Sequence, residues 1–368
     1  MIYLDNNATT PIAPDVKVCM DRFTQMYGNM SSAHYMGQQM RRIYDEAVDA
    51  LMQILGASGW SLYSCSSATE ATNWLFYSLF LNLDYKPRVI VSSIEHPCVL
   101  LALKQYENRG VIELVECSVD SKGFVRLDEL DSLLNSNTLL VSVMLANNDV
   151  GTIQPIKKIV EMASRVGALV HSDIVQSVGK MPINLNDLGV DFVTLSSHKC
   201  YAPTGLGVLM SKHVDLLKPM IFGGSQQDML RAGSVNVFGM ATFVAGVSFC
   251  LSQMQNQLNV TDWVNDLAQY SDSLAVISSP NLPNQLWNTV AISFINQNAH
   301  SMMMQLDMEG ICASTGSACA TGAFEPSHVI LAMGYELDVA STVIRFSFGY
   351  LNTVADMNNA KKIILKLI

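Results

Sequence analysis

Charge is scarce in this chain of 368 residues, where only 15% are Asp, Glu, Lys or Arg, against about 25% in an average soluble domain. Lys plus Arg number 22 and Asp plus Glu 32, a formal charge of −10. That balance argues against a broad nucleic-acid or anionic-membrane surface as the main partner. No basic flank followed by an apolar run opens the sequence, which begins Met1-Ile2-Tyr3-Leu4-Asp5-Asn6-Asn7. Neither a signal nor a transit peptide is read there, and the expected location is cytoplasmic. No uninterrupted apolar run approaches the ~20 residues that span a bilayer. The most apolar stretch, 235–251, is broken by Asn236, Gly239, Thr242, Gly246 and Ser248 and reads as a buried helix. The eight cysteines lack paired CxxC spacing, so no disulfide framework or metal site is indicated and most read as small buried hydrophobes. No internal repeat occurs.

What is present is core. With 49% hydrophobic residues, a chain of this length folds without an external scaffold and accommodates two domains. β-rich runs alternate with helical patterns: 89–92, 112–115, 139–144, 168–171, 192–195 and 207–210 read as strands, and 156–166 as a crossover helix. The reading is α/β with a mostly parallel sheet. Beyond about Leu251 the sequence turns rich in Gln, Asn, Ser and Asp, a polar linker before the strand-like 289–294 opens a smaller C-terminal unit.

Polar residues cluster just after strand ends, the edge where open α/β sheets bind ligands. Asn147, Asn148, Asp173, Ser196, His198 and Lys199 are therefore candidates for one site. A carboxylate and a lysine at the ends of neighbouring strands, Asp173 and Lys199, suit pyridoxal phosphate: the lysine forms the Schiff base, and the carboxylate keeps the pyridine nitrogen protonated so that the ring acts as an electron sink. A solvated loop lysine is the plainer alternative. Ser64-Cys65-Ser66-Ser67-Ala68-Thr69-Glu70 precedes the helical pattern 71–81; it reads either as a phosphate-receiving helix start or as an ordinary capping box.

Taken in order, Leu4-Asp5-Asn6-Asn7-Ala8-Thr9-Thr10-Pro11, Ser31-Ser32-Ala33-His34, Ala68-Thr69-Glu70, Ile94-Glu95-His96-Pro97, Ala146-Asn147-Asn148-Asp149-Val150-Gly151-Thr152, Ser196-Ser197-His198-Lys199, Gly310 through Cys319, Phe324 through Val329, and Ile344-Arg345-Phe346-Ser347 resemble the cysteine desulfurases of the NifS/IscS type. These belong to the class V aminotransferase branch of fold-type I pyridoxal-phosphate enzymes. The resemblance spans nearly the whole chain. It implies a large cofactor-binding domain at 15–250 with a mostly parallel sheet and helices on both faces, and a small α+β domain from 1–14 and 251–368.

It also implies roles. Lys199 matches the lysine that forms the Schiff base and moves the substrate Cα proton, Asp173 the partner of the pyridinium nitrogen, Gln176 the donor to the ring hydroxyl, and His96 the catalytic histidine that stacks on the ring and assists proton transfer. Ala68, Thr69, Ser196 and His198 fall at cofactor-anchoring positions, while Ser234 would reach the phosphate of a neighbouring subunit in a homodimer. Asn148 and Arg345 match residues holding the substrate carboxylate, a task that suits the guanidinium fork. Cys319, amid small residues fit for a mobile loop, matches the nucleophile that takes sulfur from L-cysteine as a persulfide and releases alanine. The implied acceptors are iron–sulfur scaffold or tRNA-thiolation carrier proteins. No metal is implied. Departures are Asp228 and Tyr350, where the resemblance would place arginines, and Ala202 and Thr204, where it would place glycine and lysine. They leave open a weakly active paralogue serving as a binding partner, or a lyase for selenocysteine or another β-substituted amino acid.

Overall fold

The computed structural model describes residues 1–270, 272–316 and 326–368. Its strands are β1 (Ile2–Tyr3), β2 (Ser61–Cys65), β3 (Arg88–Ser92), β4 (Glu113–Cys117), β5 (Thr138–Ser142), β6 (Leu169–Asp173), β7 (Phe192–Ser196), β8 (Gly207–Ser211), β9 (Leu274–Ser278), β10 (Thr289–Phe294), β11 (Ile311–Cys312) and β12 (Val343–Ser347). The large sheet runs β2-β8-β7-β6-β5-β3-β4. Only β8 opposes its neighbours; the pairs among β7, β6, β5, β3 and β4 are parallel. Every residue of β7 and β8 is buried, as expected of strands covered on both faces.

The sequence reading misses β2, whose Ser61-Leu62-Tyr63-Ser64-Cys65 carries too few branched aliphatics to stand out. It also sets the start of β4 at Ile112, one residue before the observed start. The polar linker needs a larger correction. It contains a helix, Val260–Ala268, and strand β9. Val260, Trp263, Val264 and Leu267 recur at helical spacing inside the Asn-rich text and are buried. They join Leu4, Phe294, Ile344, Phe346 and the C-terminal helix Val354–Leu367 in a core separate from that of the large sheet. Strands β12, β10 and β9 form an antiparallel sheet there, and β1 pairs with β11, tying the N-terminus to the C-terminal part of the chain.

The apolar stretch 235–251 forms a helix, Val237–Gln253, long and apolar enough to cross a membrane by length and composition. Met240, Phe243 and Val247 are wholly buried, and the helix packs on Pro14–Phe23 and Tyr35–Ile54. Gly246 is required for that packing, since a Cβ there would lie 2.0 Å from the Cys200 carbonyl oxygen, directly behind Lys199.

Candidate active site

The parallel strands and β2 deliver their carboxyl ends to one edge of the sheet. Asp173 ends β6, Ser196 ends β7, and a short 3₁₀ turn, Ser197–Lys199, follows at once. His96 comes from the loop after β3. Buried Glu95 fixes that loop by accepting the Met144 N–H at 2.7 Å, and Asn147 donates to the Ile94 carbonyl at 3.0 Å. The helix Ala68–Phe80 starts on the same edge, capped by Ser67, whose Oγ accepts the Glu70 N–H at 3.1 Å. Glu70 is held in turn by Arg231 at 2.9 Å. The capping reading therefore describes this turn, with Glu70 also accepting the Ser66 N–H at 2.7 Å. Gly207 of β8 makes room for it, because a Cβ there would sit 2.0 Å from the Ser67 carbonyl carbon.

These elements enclose a cavity of about 480 Å³, the size of a small-molecule site. Lys199, Asp173, Gln176 and His96 line it, with Ala68 and Thr69 at the helix start. Ser196, His198, Asn148 and Arg345 complete the wall. Ser234 is exposed and outside the cavity. Cys319 lies outside the described residues, but Gly316 and Ser314, just before it in the chain, are in the cavity wall.

Lys199 Nζ donates to the Asn7 carbonyl at 2.6 Å and to the Ala8 carbonyl. Burial, with Arg345 nearby, lowers its ammonium from 10.5 to about 8. Burial raises the Asp173 carboxyl from 3.8 to about 6 despite the Val175 N–H it accepts at 2.9 Å. His96 accepts the Cys98 N–H at Nδ1, at 3.1 Å, so the neutral ring carries its proton on Nε2. Burial and the Lys199 charge lower it from 6.5 to about 4. Burial likewise lowers His198, 3.1 Å from Thr9 Oγ1, to about 4. At neutral pH both imidazoles are uncharged.

Asp5, Asn7, Asp149 and Lys180 complete the site without any role assigned to them by sequence reading. The Arg345 guanidinium is paired with Asp5 at 2.6 Å and Asp149 at 3.0 Å, and its buried Nε has no hydrogen-bond partner among the described residues. Asp149 also accepts the Ser327 hydroxyl at 2.6 Å. Of the departures, Thr204 is exposed, and Tyr350 stacks near Trp287 at 5.1 Å while its OH donates to the Gly179 carbonyl at 2.8 Å. Asp228 sits in a left-handed run with φ of 46°, 59° and 62° at Gln227, Asp228 and Met229, strained for non-glycine residues. The Gln227 amide oxygen anchors this run by accepting the Ser64 N–H at 2.6 Å.

A model of class-V aminotransferases matches residues 2–359. The chain belongs to the class-V aminotransferase family. Among relatives, the cysteine desulfurase IscS of Dictyoglomus turgidum is 33% identical over 373 aligned positions, covering 100% of this chain and 94% of that one. A solved NifS-like protein superposes with a TM-score of 0.91 at 32% identity, covering 100% of both chains. A protein named SspA, solved in complex with cysteine, gives 0.81 at 26% identity over 96% of this chain and 100% of its own.

Members of this class-V family, this chain included, use pyridoxal 5′-phosphate, and the cavity fits it. A helix start with Thr69, Ser196 and His198 beside it suits a phosphate. A buried carboxylate and a lysine with a lowered proton affinity face the same space. Among the described residues no cluster of His, Cys, Asp or Glu could hold a metal ion.

Asp173 gives the first prediction. Its folded-state proton affinity is raised, so its contribution to stability is present below pH 3.8 and is lost as pH rises through about 6. At pH 7 the cofactor-free protein is less stable by about 3 kcal/mol than if the group titrated normally. Cofactor-free Asp173→Asn should melt a few degrees above the parent at pH 7, with the gap closing below pH 4. Its cofactor-loaded turnover should fall about 10²–10³-fold, the order lost with one preorganised charged partner. Calorimetry and alanine release check the two halves.

Proposed function

We propose that this protein is a cysteine desulfurase, converting L-cysteine to L-alanine and passing the sulfur as a persulfide on Cys319 to an acceptor protein. The observation that supports it best is the meeting of Lys199, Asp173, His96, Gln176 and Arg345 in one cavity from separate parts of the chain. Bound there, pyridoxal phosphate supplies an electron sink for the carbons next to the breaking C–S bond.

The protein's own groups do the rest. Asp173 would hold a positive charge on the ring nitrogen, Gln176 would donate to the ring hydroxyl, and neutral His96 would face the ring. Arg345 and Asn148 receive the substrate carboxylate, which must take Arg345 from its pairing with Asp5 and Asp149. Lys199, a usable fraction of it unprotonated at physiological pH, removes the Cα proton and returns one to the carbon framework. The Cys319 thiolate attacks the substrate sulfur, so the S–S bond forms as C–S breaks. The carbon side keeps the bonding pair and, after taking up a proton, ends as the methyl group of alanine.

The working unit is a homodimer in which Ser234 of each subunit reaches the other's cofactor phosphate; its exposure away from its own cavity supports this reading. The acceptor is an iron–sulfur scaffold or a tRNA-thiolation carrier. The test is purified protein with pyridoxal phosphate, L-cysteine and a thiol reductant, followed for alanine and sulfide together. Equal amounts are expected. A loaded enzyme that yields pyruvate and sulfide without alanine, or no product at all, overturns the proposal.

A further inference from the structure

Beneath the cavity lies a second lysine that the reaction above does not use. Lys180 is 7% exposed, and its Nζ donates to Asn7 Oδ1 at 2.7 Å and to Gln176 Oε1. Gln176 Nε2 donates to the Asn7 carbonyl at 2.9 Å, the same oxygen that receives Lys199 Nζ. The remaining polar atoms of Asn7 are engaged as well: Nδ2 donates to the Asn148 carbonyl at 2.8 Å and to Thr289 Oγ1 at 2.9 Å, while Oδ1 also accepts from Asn288.

We propose that Lys180 is a positioning residue for the reaction, its buried amino group orienting the Gln176 carboxamide and the Asn7 perch of Lys199 while placing positive charge beside Lys199. The two ends of a primary amide differ little in shape, so orientation follows from partners. With Oε1 taken by Lys180 and one N–H by Asn7, Gln176 presents a donor, not an acceptor, to the cavity it lines. Burial and the neighbouring Lys199 charge bring Lys180 from 10.5 down to about 7. Arg345 of β12 disfavours its charge further, while Cys200 after β7 and Cys250 of the helix Val237–Gln253 also face it, the Cys250 thiol pushed far up by its contact with Cys200 and by burial and so uncharged. Asp5 and Asp173 add negative charge around Lys199, and an incoming phosphate, itself anionic, would favour charge on the cations near it. Linkage makes the repulsion reciprocal: a charged Lys180 disfavours a proton on the Lys199 nitrogen as strongly as Lys199 disfavours one on Lys180.

The experiment is a pH titration of the visible absorbance of lysine-bound pyridoxal phosphate in the holoenzyme. Lys180→Met, which keeps the apolar stem and removes the charge, should move the transition up by about one pH unit. Lys180→Arg, which keeps the charge, should titrate with the parent. A Met variant that titrates with the parent overturns the proposal. So does an Arg variant displaced by a full unit, which stands as the test where the Met variant does not fold. The inference rests on the cofactor reading: a parent that develops no visible band refutes both, whereas a band indifferent to Lys180 refutes this inference alone.

Discussion

Lys199→Ala turns over L-cysteine at least about 10⁴-fold more slowly than the parent, the upper range for losing a positioned proton-transfer group, with loss of the covalent link to the cofactor added. The magnitude follows from the number of tasks on one nitrogen. Lys199 Nζ sits on the carbonyls of Asn7 and Ala8, at the junction of the N-terminal segment with the turn after β7. Burial and Arg345 place it at about 8, so a usable fraction is unprotonated at neutral pH. No other described residue of the wall replaces it. His96 and His198, both lowered to about 4, are far weaker bases, and Lys180 is committed below the floor. The variant should still fold, because Gln176 still donates to the Asn7 carbonyl and Ala8 is exposed. Borohydride treatment followed by mass measurement should trap cofactor on the parent and none on the variant. Partial rescue by a small added amine would assign the loss to the missing base rather than to misfolding. A variant retaining a tenth of the parent's rate would remove Lys199 from this role.

How far the sequence reaches differs between residues that act at strand ends and those that act across the chain. Asp173 and Ser196 are legible because β-rich runs mark the strands, and strand ends mark the edge at which sites form. Lys180 is not legible, since what gives it meaning is a contact with Asn7 at a separation of 173 residues. Asp5 is alike: its partner Arg345 lies 340 positions away, and an acidic residue near a terminus carries no sign of that pairing. The helix Val260–Ala268 was within reach, because Val260, Trp263, Val264 and Leu267 keep a helical period, but a composition rich in Asn and Asp masks it. The three positions where the resemblance would place basic residues also take different meanings in space. Tyr350 belongs to a ring cluster with Trp287 and Tyr201, Thr204 is exposed, and Asp228 lies on a strained run anchored by Gln227 to β2. None of the three lines the cavity.

Cys319→Ser should release no sulfide above background, a fall of at least about 10³-fold, while still binding pyridoxal phosphate and still shifting its absorbance when cysteine is added. The residue lies outside the described part of the chain, so the case for it comes from chemistry and from its neighbours. Gly316, in the cavity wall, precedes it by three residues, a length that spans at most about 10 Å. The wall contains a rival thiol, Cys98, but burial and the adjacent Asp173 charge push it up to about 12, leaving almost no thiolate at neutral pH. Cys312, on β11, is likewise raised by burial and by Asp307. Since the thiolate is the attacking species, Cys98→Ala should keep most of the parent's activity. Mass spectrometry of the parent after one turnover without reductant should find one added sulfur atom on the peptide containing Cys319. Activity should fall as pH drops below the thiol's range, ordinarily ~8.5, because protonation removes the nucleophile while burial keeps His96 neutral well below that point. Undiminished sulfide from Cys319→Ser, or sulfur found on Cys98, would move the nucleophile into the cavity wall and leave the cofactor chemistry of Lys199 and Asp173 as it stands.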